Sequence, residues 1–227
     1  MAYTASAMSF QLRGLPVPVV FTGAMIPASS PITDAWENIF GGIQACIHGI
    51  SNGVHIYFHE KILDPLLSSK MKTSGRNPFS ERSKSLADSD IFLHSKKISY
   101  RSELSLVNVG IFVLNPGSGL GILDSVLKSG LQGLVLEHEG AEMVFNDADT
   151  PVAIRMLQAA QSKGIIIVAR SRDIYQSAHF VAPDICDVGV FSVGNMTREA
   201  AIGMLHAVLG APCELRSFWH ELTTAET

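Results

Sequence analysis

Apolar and polar positions along this chain fall into blocks that read in turn as strands and helices. Short apolar runs occupy Val17 to Thr22, Val54 to Phe58, Leu106 to Leu114, Gly133 to Glu137 and Ile165 to Ala169. Runs of this length bounded by turn residues read as strands, and in a parallel sheet such strands are buried on both faces and paired on both edges. Between them, apolar residues recur at three- and four-residue spacing over Asp34 to His48, Gly119 to Lys128, Asp149 to Ser162 and Thr197 to Leu209, the period of helices with one buried face. Parallel strands joined through helices need right-handed crossovers, so the pattern predicts an α/β protein of parallel sheets with helices on both faces.

The first block departs from this order. Residues 2–13 set Ala5, Met8 and Leu12 at helical spacing, stop at Gly14 and run straight into the first strand. A crossover helix thus comes before any strand that could feed it. The expectation is a truncated or split version of a longer enzyme, with a neighbour of that first strand supplied from elsewhere. From Lys61 to Arg101 the periodicity fails in a polar stretch, rich in serine and lysine from Ser80 onward. That break predicts a partial N-terminal domain over residues 1–98 and a more complete C-terminal domain over residues 105–227.

Composition narrows the function classes. The 227 residues are 47% hydrophobic and 17% charged, enough apolar content for a well-filled core. A net charge of −4 leaves no basic stripe for a phosphate backbone, and the densest positive run, Arg76 to Lys97, is diluted by acids and serines and reads as a solvated loop. Cys46, Cys186 and Cys213 are odd in number and widely spaced, which fits a reducing compartment rather than a disulfide framework or a zinc knuckle. No apolar run approaches the roughly 20 residues of a membrane span, and the start lacks a basic segment followed by a long apolar core. The reading is a cytoplasmic protein with neither nucleic acid nor membrane as partner.

Several short patterns carry chemistry elsewhere and fail here on context. Gly49-Ile-Ser-Asn-Gly53 has the G-x-S-x-G spacing of a serine hydrolase, yet Ser51 leaves a helix and enters a strand, the reverse of a nucleophile elbow. Pro116-Gly-Ser-Gly-Leu-Gly121 opens a helix after a strand, where a phosphate could rest, but it lacks the full dinucleotide spacing and is equally a tight turn. His55 and His59, beside Glu60, lie on a strand, where four residues at about 3.3 Å each separate them by ~13 Å, too far for one zinc ion with bonds of about 2 Å. Glu137, Glu139 and Glu142, around His138, could hold a weak divalent ion, although a strand-end acidic turn explains them as well. No metal and no cofactor is implied.

One set of motifs rises above this background. Val19-Val-Phe-Thr-Gly-Ala-Met-Ile-Pro27 is followed by Thr33-Asp-Ala-Trp-Glu-Asn38, and then by Ser69-Lys70-Met71 with Gly75 and Phe79 beyond. Here the chain resembles the L-asparaginase family, in particular its cytoplasmic type I branch. Members carry a helix like Met1 to Phe10 directly after a G-T-D-T motif, then a T-G-[AS]-x-x-P strand end, then S-D-x-x-x-N opening a helix. They also carry a T-K-[TA] segment with a small residue five positions and a phenylalanine nine positions past the lysine. The chain keeps these features in order, with Thr33, Ser69 and Met71 as departures from the motif residues. Leu134-Val-Leu136, Ala159 to Val168 and Gly194 to Ala200 extend the likeness into the second half.

The resemblance implies a two-domain, flavodoxin-like α/β fold, a homo-oligomer or a complementing chain, and hydrolysis of the side-chain amide of asparagine, with glutamine as the alternative substrate. It implies Lys70 as the catalytic lysine and Gly23, Ala24 and Met25 as substrate-binding residues. An amide is a poor electrophile, so the family attacks it with a threonine hydroxyl, served by a proton relay of a second threonine, an aspartate and the lysine. A lysine amine partly withdrawn from water can act as that base, which an arginine cannot. The nucleophile belongs to a T-G-G-T-I segment and the relay pair to G-T-D-T, and neither motif occurs in residues 1–227. Two further segments depart from the family: Glu139 to Phe145 replaces Y-G-x-G-N-x-P, and Arg170 to Gln176 lacks T-Q-C-x-x-G. Three expectations follow: a fragment of an active asparaginase, a short inactive or split form completed by a partner, or a binding module in which residues 105–227 fold alone.

Overall fold

The computed structural model describes residues 1–82, 105–115, 118–138, 149–172 and 189–210. The first half begins with α1 (Ala2–Gln11), β1 (Pro18–Phe21), α2 (Ala35–Ile47), β2 (Gly53–Phe58) and β3 (Lys61–Leu63). β1 runs parallel to β2 with Val20 opposite His55, and β3 folds back antiparallel on β2. β4 (Ser68–Lys70) and β5 (Phe79–Glu81) form a separate antiparallel ribbon in which Lys70 faces Phe79.

Two expectations are corrected here. The stretch from Lys61, read as polar and without strands, carries β3, β4 and β5. Each is three residues long, too short for an alternating pattern to show, and the β2–β3 reversal is made at His59 and Glu60, both at positive φ (48° and 61°), without the Asn-Gly signal such a turn normally displays. β1, expected to be deeply buried, is half-buried throughout, and among the described residues it pairs with β2 alone. The expected boundary after residue 98 falls on residues 83–104, outside the described ones.

The second half contains β6 (Val109–Val113), α3 (Leu120–Leu127), β7 (Gly133–His138), α4 (Thr150–Ser162), β8 (Ile166–Ser171), β9 (Phe191–Ser192) and α5 (Arg198–Leu209). Its four strands are all parallel in the order β6-β7-β8-β9. Side chains alternate across the sheet. Leu134, Leu136, Ile167 and Ala169 pack toward α3 and α4 with Leu123, Ala153 and Leu157, while Val135 and Val168 pack toward α5 with Ala201, Met204 and Leu205. Covering on both faces explains why β7 and β8 read as continuous apolar runs.

α1 joins the two halves. Ala2 and Ala5 sit on Val54, Ile56 and Phe58 of the first sheet, and the opposite side of the helix lies on α5. The fit is close because Gly203 has no side chain: a β-carbon there would stand 2.9 Å from Ala7 N and 3.1 Å from Ala7 Cα. α2 covers the other face of the first sheet, with Gly41 and Gly42 directly over Tyr57. Its outer side exposes Trp36, Ile39, Phe40, Ile43 and Ile47, a stripe at helical spacing.

Candidate functional site

The segment after β1 is built by two residues of α2's first turn. The Asp34 carboxylate, 2% exposed, accepts the backbone N–H groups of Met25 and Ile26 at 2.9–3.0 Å. Asn38, one turn further on, donates to Gly23 O and to Asp34, and accepts the His59 N–H at 2.8 Å. Thr33 adds a hydroxyl bond to Ile26 O, and Thr22 one to Tyr57 O. The Asp-x-x-x-Asn spacing therefore acts mechanically, placing both side chains on one helix face to clamp Gly23–Ile26. Burial pushes the Asp34 carboxyl up, but the N–H bonds from Met25 and Ile26 outweigh it and hold the group below the usual carboxylate range.

Lys70 ends β4, and its side chain is exposed. The residue before it, Ser69, donates its hydroxyl to the Glu199 carboxylate at 2.8 Å, 130 positions away at the start of α5. That helix start is itself fixed from below. Glu137, fully buried at the end of β7, accepts Arg198 through Nε at 2.8 Å and through Nη2, and also accepts Arg170 through Nη1. Burial pushes the Glu137 carboxyl up, and the bonds from Arg198 and Arg170 more than reverse this, so it stays below the ordinary range. Thr197 caps α5 through the Ala200 N–H and gives its own N–H to Leu66 O at 2.9 Å.

These pieces converge on the N-terminus of α1. Met1 lies over the segment after β1, since a β-carbon on Gly23 would be 2.8 Å from Met1 Cε. Tyr3 lies against the start of α5, where burial first and the negative Glu199 next raise its phenol above its usual pKa. Met25 and Phe79, the residue opposite Lys70, belong to one apolar cluster with Ala2 and Phe58. The structure thus gathers Gly23, Ala24 and Met25, the Lys70 strand and the first turn of α5 around one helix end. Glu199, Ser69 and Arg198 carry no sequence signal for this, because each bond is made between segments far apart in the chain.

The remaining candidates separate from this region. His55 Nε2 lies 2.8 Å from Ser51 O and 3.4 Å from Ser51 Oγ. A ring nitrogen that close to a carbonyl carries the proton, so it cannot take one from the serine. His59 lies in the β2–β3 turn, its N–H bound to Asn38. Glu137 is saturated by two arginines and is no metal ligand, while Glu139, Glu142, Pro116 and Gly117 lie outside the described residues, as does most of the segment to Gln176. Among the described residues no group of three His, Cys, Asp or Glu could hold a metal ion, and no helix is long and apolar enough to cross a membrane.

Known proteins resemble this chain over most of its length. The family model described as asparaginase, N-terminal, matches residues 1–104. An L-asparaginase of Thermococcus kodakarensis is 28% identical over 222 residues, covering 92% of this chain and 66% of that protein. A glutamyl-tRNA(Gln) amidotransferase subunit from Methanobrevibacter smithii is 28% identical over 236 residues, covering 92% of this chain and 51% of that protein. The solved structure of the thermostable L-asparaginase from Thermococcus kodakarensis superposes with a TM-score of 0.76 at 25% identity, over 98% of this chain and 70% of that one. The chain spans about two thirds or less of the length of these curated relatives.

Proposed function

From its similarity to the asparaginase family, carried by residues 1–104 and by likeness to L-asparaginases across the second half, we propose that this chain forms part of an amide hydrolase acting on L-asparagine. In this reading Lys70 belongs to the proton relay, and Gly23, Ala24 and Met25 line the place where the substrate rests. The observation that carries it is the convergence of the Gly23–Met25 segment and the Lys70 strand at the N-terminus of α1.

The reaction needs a nucleophile that the 227 residues do not hold in a T-G-G-T-I or G-T-D-T setting. We infer that the threonines come from a segment outside residues 1–227, on the same polypeptide or on a complementing one. The threonine oxygen bonds to the side-chain carbonyl carbon, its proton passes through the relay that includes Lys70, and ammonia leaves as the C–N bond breaks. Water then opens the acyl-enzyme to aspartate. Similarity to an amidotransferase at the same identity keeps glutamine as the competing substrate.

The test is ammonia release from L-asparagine and L-glutamine by this chain joined to a segment bearing both threonine motifs, with and without Lys70→Ala. Turnover that depends on Lys70 supports the reading. Turnover that survives Lys70→Ala, or that the 227 residues achieve alone, overturns it.

A further inference from the structure

Deepening the reading of Lys70 as a relay lysine, we propose that Glu199 is its positioning residue, acting through the Ser69 hydroxyl, so that α5 and the second-half sheet set where the lysine stands.

β4 and β5 are three-residue strands with no third strand beside them among the described residues, and a two-stranded ribbon of that size does not hold its shape in water by itself. Outside ties fix it. The Ser6 hydroxyl reaches Pro65 O at 2.7 Å and the Thr197 N–H reaches Leu66 O at 2.9 Å, but both grip the chain before β4 begins. The Ser69–Glu199 bond acts within the strand, one residue from Lys70. Its acceptor is anchored at both neighbours: Arg198 by the fully buried Glu137, and Ala200 by the Thr197 cap, with Ala200 and Ala201 wholly buried. A hydroxyl donating to a carboxylate makes one of the stronger kinds of hydrogen bond. The carboxylate is therefore a fixed post, and the strand carrying Lys70 is the movable part tied to it.

Ser68 supplies an internal control. Its hydroxyl is buried and finds no partner among the described residues, so Ser68→Ala removes the same atom from the same strand without removing a tie.

The experiment follows amide hydrogen exchange in residues 68–70 and 79–81, together with the rate at which acetic anhydride modifies the Lys70 amine, in the 227-residue chain. Ser69→Ala and Glu199→Ala are expected to speed exchange in the ribbon about tenfold while leaving β7 and β8 unchanged. Ser69→Thr, which keeps the hydroxyl, and Glu199→Gln, which keeps an acceptor oxygen, are expected to stay within about threefold of the parent, and Ser68→Ala to match it. Equal effects of Ser68→Ala and Ser69→Ala, or exchange rising in β7 and β8 along with the ribbon, overturn the proposal. In the amide-hydrolysing assembly, Glu199→Ala is expected to lower kcat by about 10- to 100-fold with KM little changed, since a misplacement of about 1 Å costs on that order; an unchanged kcat also overturns it. Exchange is read without turnover, so an amidase assay that does not depend on Lys70 strikes the assigned function and not the Glu199 tie.

Discussion

Replacing Gly203 by alanine puts the α1–α5 seam to a direct test, because two effects of known sign oppose each other there. In an open helix the change is favourable by about 1 kcal/mol, since alanine is the better helix former. At position 203 the new methyl would meet Ala7 N at 2.9 Å, Ala7 Cα at 3.1 Å and Ser6 C at 3.3 Å, all backbone atoms that cannot rotate away. Ordinary carbon contacts lie at about 3.5–4.0 Å, so the helices must part by roughly half an ångström or more, thinning dispersion contacts along the whole seam. Overpacking of this kind costs about 1–3 kcal/mol. The net expectation is a loss of roughly 1–2 kcal/mol, read as a lower urea midpoint by circular dichroism and a melting temperature lower by about 2–4 °C per kcal/mol. Gly121, exposed in α3 with nothing within 4 Å of an added β-carbon, is the matched opposite. Gly121→Ala is expected to gain roughly 0.5 kcal/mol. A Gly203→Ala protein as stable as the parent would show that the helices do not meet as described.

Other outcomes follow from the clamps and the core. Glu137→Gln is expected to cost about 3–5 kcal/mol at neutral pH by leaving Arg170 and Arg198 without their charge partner. Because the folded carboxyl is held below its ordinary value, its contribution is present above the unfolded carboxylate range near about pH 4.3 and is lost as pH falls through the folded value, so urea titrations of the two proteins should converge in acid. Asp34→Ala strands the N–H groups of Met25 and Ile26, with an expected loss of about 1–3 kcal/mol and faster exchange at those two amides than at β7. Phe40→Ser on the exposed stripe of α2 is expected to stay within about 0.5 kcal/mol, whereas Phe58→Ala in the core loses about 3–5 kcal/mol, both by urea unfolding.

Where an element is long and covered on both faces, the sequence announces it. β7 and β8 appear within a residue or two of their expected ends because six consecutive positions are apolar or buried, and α5 appears because Thr197 caps a clean helical period. Legibility falls as elements shorten. Three-residue strands leave no alternation to count, and a turn closed by His59-Glu60 hides the hairpin it makes. α1 is readable as a helix but not as a linker, since a helix covered on two sides by small residues shows no single apolar face. The Thr22–Pro27 segment, Asp34, Asn38 and Lys70 stand out only through their resemblance to the motifs of a known family, and of these the Asp-x-x-x-Asn spacing has a local reason in the clamp on Gly23–Ile26. The ties that assemble them, Ser69 to Glu199 and Arg198 to Glu137, join residues 130 and 61 positions apart, and no local pattern encodes such partners.

The seating of α1 on α5 also sets an order of events on the ribosome. A ten-residue helix is not stable alone in water, and the surface that completes its seat is made about 190 residues later, a delay of about 10–40 s at ordinary translation rates. Until residues 198–209 emerge, the small-residue side of α1 stays uncovered and the link between the two halves is unmade. α1 is thus seated long after it is made, and a nascent chain halted before α5 offers a chaperone the small-residue side of a joint that the finished protein hides.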